Sequence, residues 1–208
     1  MSVPGAVDEE FELFFDQDVP IENRLDQSPE EAEEDEPGDE YTNFSIVVNL
    51  KQTEDEAEAI KIQLYSKDVL SFLYEGEMSK EDFESFKAEQ ELDIDFNDFP
   101  NVLQEVLGQI NEDIEENGYN ARLIPDGEDA CHLIIKQDLD LCTTEIFNIK
   151  LVGADQERIR KVSQARYNEL SKRDNALRTQ YKDLIKRIRR QDPKILQDFK
   201  LNSEIAQN

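Results

Sequence analysis

Residues 88–107 read AEQELDIDFNDFPNVLQEVL, and this stretch decides the fold. It opens with alternation: Leu92, Ile94 and Phe96 share one side, Asp93 and Asp95 the other, which is the period of a half-buried strand. Asn97 then suits a helix N-cap, and Pro100 falls where a first helical turn tolerates a missing N–H. From there the period becomes helical, with Phe99, Val102, Leu103, Val106, Leu107 and Ile110 on one stripe. A strand feeding directly into a helix, apolar on a matching face, is a core-building unit and not an active-site motif.

Upstream, Ser79 with Asp82 three residues on forms a capping arrangement for a helix from Lys80 to about Glu89, with Phe83 and Phe86 facing inward. Before it, Leu70, Phe72 and Tyr74 mark a strand in SFLYEGE. Two earlier strands alternate through Phe44, Ile46, Val48 and Leu50, then through Ile60, Ile62 and Leu64, and should pair antiparallel. Downstream, the second helix is expected to reach Glu116 or Asn117 and stop at Gly118. Strands follow at Ala121–Ile124, His132–Ile135 and Ile146–Val152, separated by the turn signals PDGED and KQDLDLCTTE. These elements predict an α+β domain of mostly antiparallel strands with a helix pair inserted in the middle.

Charge divides the rest of the chain. The 208 residues carry a net charge of −27, but residues 1–40 hold sixteen acids against Arg24 alone, whereas residues 155–194 hold thirteen Lys or Arg against six acids. Residues 1–40 therefore read as an acidic, disordered arm, and their apolar island, Phe11, Leu13, Phe14, Phe15, Val19 and Ile21, as a segment that rests on its own domain or stays loose, in preference to a docking peptide. The expected order is arm 1–40, head 41–154, basic helix or short coiled coil 155–192, tail 193–208. Along the helix Leu170, Leu177 and Leu184 recur every seven residues, with Tyr181 and Ile188 beside them and Arg173, Gln180 and Arg187 in the other core-like places. That seam is thin, and Pro193 should end the helix.

The chemistry-bearing residues are few. The one histidine, His132, sits in an apolar strand beside Cys131; adjacency does not build a Cys–His catalytic pair. Cys131, His132 and Cys142 lack a zinc-site spacing and a fourth ligand. Asp93, Asp95 and Asp98 lack the glycine and distal glutamate of a calcium loop. The glycines form no phosphate loop. We expect no enzyme activity, catalytic residue, metal or cofactor. Strong net negativity disfavours nucleic acid as a partner, apart from the basic helix around Lys186–Arg190. No apolar run approaches the ~18 residues of a membrane span, and two cysteines suit a reducing compartment, so an intracellular protein with no membrane partner is expected. Leu139 and Leu141 stand in an otherwise polar turn, where they either cap the domain's own core or face outward for a contact.

The string from Phe72 to Leu107 resembles the N-terminal head of the centriolar cartwheel protein family, spindle assembly abnormal protein six. The residues that carry this are Phe72-Leu73-Tyr74, Ser79, Glu81-Asp82-Phe83, Gln90, Leu92, Asp95-Phe96 and Phe99-Pro100, continuing through IFNIKLVGAD at 146–155. The resemblance covers roughly residues 42–170. It implies a small β-sandwich or barrel head with an inserted helical hairpin, built on Phe72, Tyr74, Phe83, Phe86, Leu92, Ile94, Phe96, Phe99 and Pro100. It further implies homo-oligomerisation, through head–head contacts and through parallel helix pairing along Leu170, Leu177, Tyr181, Leu184 and Ile188, alternating to close a ring. Counting back from IFNIKL puts the family's bulky head–head anchor on Leu141, with Leu139 beside it. The implied setting is the cytoplasm and cytoskeleton: centriole or basal body, flagellar base, or an apical complex, with other centriolar or microtubule-associated proteins as further partners. Family members carry a far longer coiled coil, so the chain reads as a fragment or a short paralogue; its acidic start and its ending past Pro193 favour the paralogue. An adaptor that binds another protein through the head without forming rings is the alternative.

Overall fold

A computed structural model of the chain describes residues 10–27, 41–53, 56–112, 118–127, 129–139 and 142–191. Its elements, in chain order, are β1 (Glu12–Asn23), β2 (Tyr41–Thr53), β3 (Glu56–Ser66), β4 (Leu73–Ser79), α1 (Lys80–Glu89), α2 (Phe99–Glu112), β5 (Tyr119–Pro125), β6 (Ala130–Leu139), β7 (Cys142–Gly153) and α3 (Gln156–Gln191). The strands close a barrel in the order β1-β2-β3-β4-β7-β6-β5. Every pairing is antiparallel except β1 with β5, a parallel seam of two residue pairs, Glu22 with Arg122 and Asn23 with Leu123. The α+β class with an inserted helix pair and a long following helix is thus observed.

The first correction concerns residues 1–40. Glu12–Asn23 is a full barrel strand, so the apolar island rests on its own domain, one of the two expectations, and this part of residues 1–40 is not a disordered arm. Bulk acidity hid it, because the carboxylates sit where a strand can afford them. Phe15, Val19 and Ile21 enter the core, while Asp18 on the outer side meets Lys67 and the Ser45 hydroxyl. A bulge between Leu13 and Phe15 resets the alternation and leaves Phe14 outside. Residues 28–40 lie outside the described residues.

The second correction concerns the opening stretch. Leu92–Phe96 alternates in burial as expected but belongs to no sheet; it is the connector between α1 and α2. Period two reports an extended backbone with one face down, and that is met here without a ladder. Leu92 and Ile94 are half-buried against the core and Phe96 is buried. Helix α2 starts at Phe99, and Val102 N donates to Asp98 O at 3.0 Å, so Asp98 takes the cap position expected of Asn97. Pro100 lies in the first turn, as read. The helix end expected at 116–117 falls outside the described residues. Gly118 follows with φ +66, and a Cβ there would collide with the Asp138 carbonyl, so glycine is required on both counts.

Helix α1 carries the capping box in full: Asp82 N donates to the Ser79 hydroxyl at 3.2 Å, and Ser79 N to the Asp82 carboxylate at 3.0 Å. That arrangement holds Asp82 below the ordinary carboxylate range. The two helices plug the barrel with aromatic rings. Phe99 stands 5.4 Å from Phe83, 5.7 Å from Phe86 and 5.4 Å from Phe147, the last ring edge-on. Phe72, just before β4, and Tyr74 within it pack on the same core.

A second, smaller apolar layer lies outside the barrel. Ile159 and Val162, in the first turns of α3, cover Val47, Tyr65 and Leu73. Arg158 clamps Glu75 with contacts of 2.9–3.0 Å, and Glu75 receives the Gln63 side chain, which in turn accepts from Asn49. The compact head unit is therefore Met1–Ala165, with Arg166–Asn208 as the second unit, a boundary eleven residues later than the expected 154. Charge composition changes at 155, but burial continues until Val162. Residues 193–208 lie outside the described residues. Among the described residues no helix is long and apolar enough to cross a membrane.

Candidate association surfaces

The structure disperses the residues that could have formed a catalytic or metal centre. Cys131 is wholly buried in the core, and burial pushes its thiol up to about 12. The neighbouring His132 faces the other side of β6, where its ring lies 2.6 Å from Asn148 Oδ1 and 3.3 Å from Asp126 Oδ2. Lys150 donates to that same aspartate at 2.6 Å and, with a smaller contribution from His132, holds it below the ordinary carboxylate range. Cys142 is exposed at the far end of the hairpin, about 26 Å along the strand from Cys131 at ~3.3 Å per residue. Asp93, Asp95 and Asp98 are exposed on the α1–α2 connector.

The exposed apolar side chains that bear on the expected contacts between copies sit in two places. The first is the β6–β7 hairpin. Its last pair is Leu139 with Cys142, so Asp140 and Leu141 alone connect the strands. Leu139 is half exposed at the strand end and does not cap the core. Leu141 lies outside the described residues. The neighbouring positions, Asp138, Thr143 and Thr144, are polar, and Asp138 accepts from Thr143 Oγ1 at 2.6 Å and from Asn120 Nδ2 at 2.8 Å. These bonds, with the Asp138–Gly118 backbone bond of 2.7 Å, stiffen the base of the hairpin.

The second place is α3 beyond residue 165. Leu170, Leu177, Tyr181 and Leu184 are each more than half exposed, and Ile188 is half-buried. With Tyr167, also exposed, they step by three and four: 167, 170, 174, 177, 181, 184, 188. Counted four residues on from each leucine, the companions are Asp174, Tyr181 and Ile188, with Tyr167 at the head of the same row, a more apolar row than Arg173, Gln180 and Arg187. Arg178 donates to Asp174 at 2.6 Å along the same helix. The motif residues Phe83, Phe96, Phe99 and Pro100 are buried, and Phe72, Tyr74, Phe86, Leu92 and Ile94 pack partly buried around them, so all of them build the head and none forms a surface site.

Comparison with known proteins accords with this layout. The family model described as centriolar protein SAS N-terminal domain matches residues 13–151, two thirds of the chain, starting inside β1. Among solved structures, an N-terminal fragment of Leishmania SAS-6 containing parts of its coiled coil superposes with a TM-score of 0.73 at 16% identity, covering 88% of this chain and 96% of that one. An N-terminal coiled-coil dimer of C. elegans SAS-6 gives a TM-score of 0.57 at 17% identity over 82% and 94% of the two chains. The N-terminal domain of C. elegans SAS-6 gives 0.55 at 19% identity over 70% and 99%. At these identities the superpositions speak for the fold. No curated protein sequence matches the chain significantly.

Proposed function

The chain belongs to the centriolar protein SAS N-terminal domain family, and from that premise we propose that it is a non-enzymatic structural protein that self-assembles at a centriole, basal body or related microtubule-based structure. Two contacts between copies carry the assembly: head to head through Leu141 with Leu139, and helix to helix along the seam from Tyr167 to Ile188. The observation that supports this best is the seam itself, a three–four row of exposed apolar side chains on a helix that is otherwise strongly charged.

Magnitudes suit reversible assembly. Burying one leucine contributes roughly 1.5–3 kcal/mol. A contact centred on Leu141 is therefore weak alone, and gains strength only when the helix contact makes the next association intramolecular. Asp174 in the companion row weakens the seam further, since pairing must desolvate its carboxylate.

Sedimentation of the full chain tests the proposal. The wild-type chain is expected to show concentration-dependent dimers and larger species. Leu141→Glu should remove the larger species and leave dimers; Leu177→Glu should do the converse, and both together should give monomer. A chain that stays monomeric at high concentration, indifferent to either change, would favour an adaptor that binds a different protein through the same head. Asp174→Leu makes a separate prediction: removing the seam's polar side chain should tighten helix pairing about tenfold, read as a fall in the dimer dissociation constant. Unchanged affinity would mean that position 174 is not in the paired face.

A further inference from the structure

Helix α3 beyond residue 165 carries one carboxylate in its apolar row. Asp174 stands between Leu170 and Leu177, with Tyr167 and Tyr181 a heptad away on either side, and it is exposed. Its own helix gives it one partner, Arg178, whose Nε donates to Asp174 Oδ2 at 2.6 Å. Arg173, the residue just before it, is also exposed, and among the described residues it makes no ion pair. Tyr167, Asp174, Tyr181 and Ile188 form one core row of the heptad, and Leu170, Leu177 and Leu184 the other. Arg173 and Arg178 then fall on the two flanks of that core, where residues of paired helices meet across the edge.

A carboxylate in a core row costs affinity, and its neighbours show what it returns. When two such helices pair in the same direction and in register, the hole that receives Asp174 is walled by Leu170, Arg173, Asp174 and Leu177 of the second copy. Each carboxylate then lies between Arg178 of its own helix and Arg173 of the other, and separates two like charges that would otherwise meet flank to flank. Other alignments lose this. Paired in opposite directions, with Tyr167 level with Leu184, Asp174 stands beside Leu177 and the flank sets Arg166 against Arg187. Slid by one heptad, one of the two carboxylates meets Gln180 in place of an arginine. We infer that Asp174, with Arg173 of a second copy, fixes the direction and register in which two α3 helices pair. One alignment satisfies the carboxylate, and the rest desolvate it or oppose arginines. The arginines stay at the wet rim, where ion pairs add little strength, so the layer gives alignment at the expense of affinity.

This inference rests on the helix-pairing reading, and the experiment tells their failures apart. Full chains carrying Leu141→Glu and Cys142→Ser leave helix pairing as the contact under test. In that background Tyr167→Cys chains form a disulfide with one another when the helices run in the same direction and in register. Tyr167→Cys chains mixed with Leu184→Cys chains are joined to each other when the helices run in opposite directions. In a glutathione buffer that lets disulfides exchange, the unaltered seam should favour the first product over the second at least about tenfold. Asp174→Leu should tighten pairing and yet cut that preference at least about fivefold. Arg173→Gln should cut it without tightening, whereas Lys172→Gln, on the outer side of the helix, should leave it unchanged. A preference that stays within about twofold in both Asp174→Leu and Arg173→Gln, or that Lys172→Gln lowers as much as Arg173→Gln, would overturn the inference while pairing stands. No disulfide in either arrangement would mean that α3 does not pair, and both readings would fall.

Discussion

Phe99→Ala is expected to destabilise the head by about 3–5 kcal/mol, the range for removing a buried aromatic ring from a core that cannot collapse around the loss. Phe99 is wholly buried and touches three rings from two other elements: Phe83 and Phe86 on α1, and Phe147 on β7. Those rings are fixed by the capped helix on one side and the barrel wall on the other, so neither can move in to fill the space. Domains of this size are stable by roughly 5–15 kcal/mol, so the change removes a large fraction of the total. Phe99→Leu keeps most of the volume and should cost about 1–1.5 kcal/mol. Urea unfolding followed by far-ultraviolet circular dichroism measures both. The contrast between the two variants is the informative part, because a cost for alanine near that for leucine would mean the ring is not a packing centre. Loss of assembly in Phe99→Ala should accompany unfolding, whereas in Leu141→Glu it should occur with the fold intact.

Most of the head was legible from periodicity alone. Strands β2 and β3, helices α1 and α2, and the three strands after Gly118 all appear within a few residues of where alternation or helical stripes put them. Those signals are local, and burial on one face writes them directly into the sequence. What was not legible required knowledge of partners. Strand β1 was masked because its carboxylates are satisfied by lysine, serine and arginine from elsewhere in the chain, which composition cannot see. Leu92–Phe96 was read as a strand because an extended segment lying on a core has the same alternation as one in a sheet. The helix surface was partly visible: the leucine repeat was read with Tyr181 and Ile188 beside it. The companions were counted at Arg173, Gln180 and Arg187, one residue before the row of Asp174, Tyr181 and Ile188, so Tyr167 and Asp174 were passed over. Leu70 was read with Phe72 and Tyr74 as part of a strand, but β4 begins only at Leu73 and Leu70 stands exposed in the loop before it. A leucine inside a strand-like run looks like core, and the bonds from Asp68 N and Val69 N to the Ser66 hydroxyl that shape this loop exist only in the fold.

Glu22→Ala should rival Phe99→Ala in effect, for an electrostatic reason. The barrel closes along β1 and β5 through only two residue pairs, and Glu22 stands at that seam between two arginines. Arg24 lies 2.6 Å from one carboxylate oxygen, and Arg122 Nε lies 2.8 Å from the other, an ion-pair contact rather than an aligned hydrogen bond. All three side chains are under 10% exposed. Removing the carboxylate takes away the counter-charge that both guanidinium groups contact in a place water hardly reaches. Breaking a buried pair in this manner costs about 3–5 kcal/mol. The penalty comes from the stranded charges and not from a large intrinsic strength of the pair, and a second variant separates these. Replacing all three together, as Glu22→Leu with Arg24→Met and Arg122→Met, removes the charges along with their desolvation cost and should be neutral or stabilising by about 1–4 kcal/mol. Chemical denaturation of the single and triple variants is the measurement. A single variant costing under about 1 kcal/mol would mean that the seam is hydrated. A triple variant as damaged as the single one would mean that the geometry of the triad itself, and not charge balance, holds β1 against β5. In that second case the acidic character of β1, which concealed the strand in the sequence, would be what closes the barrel.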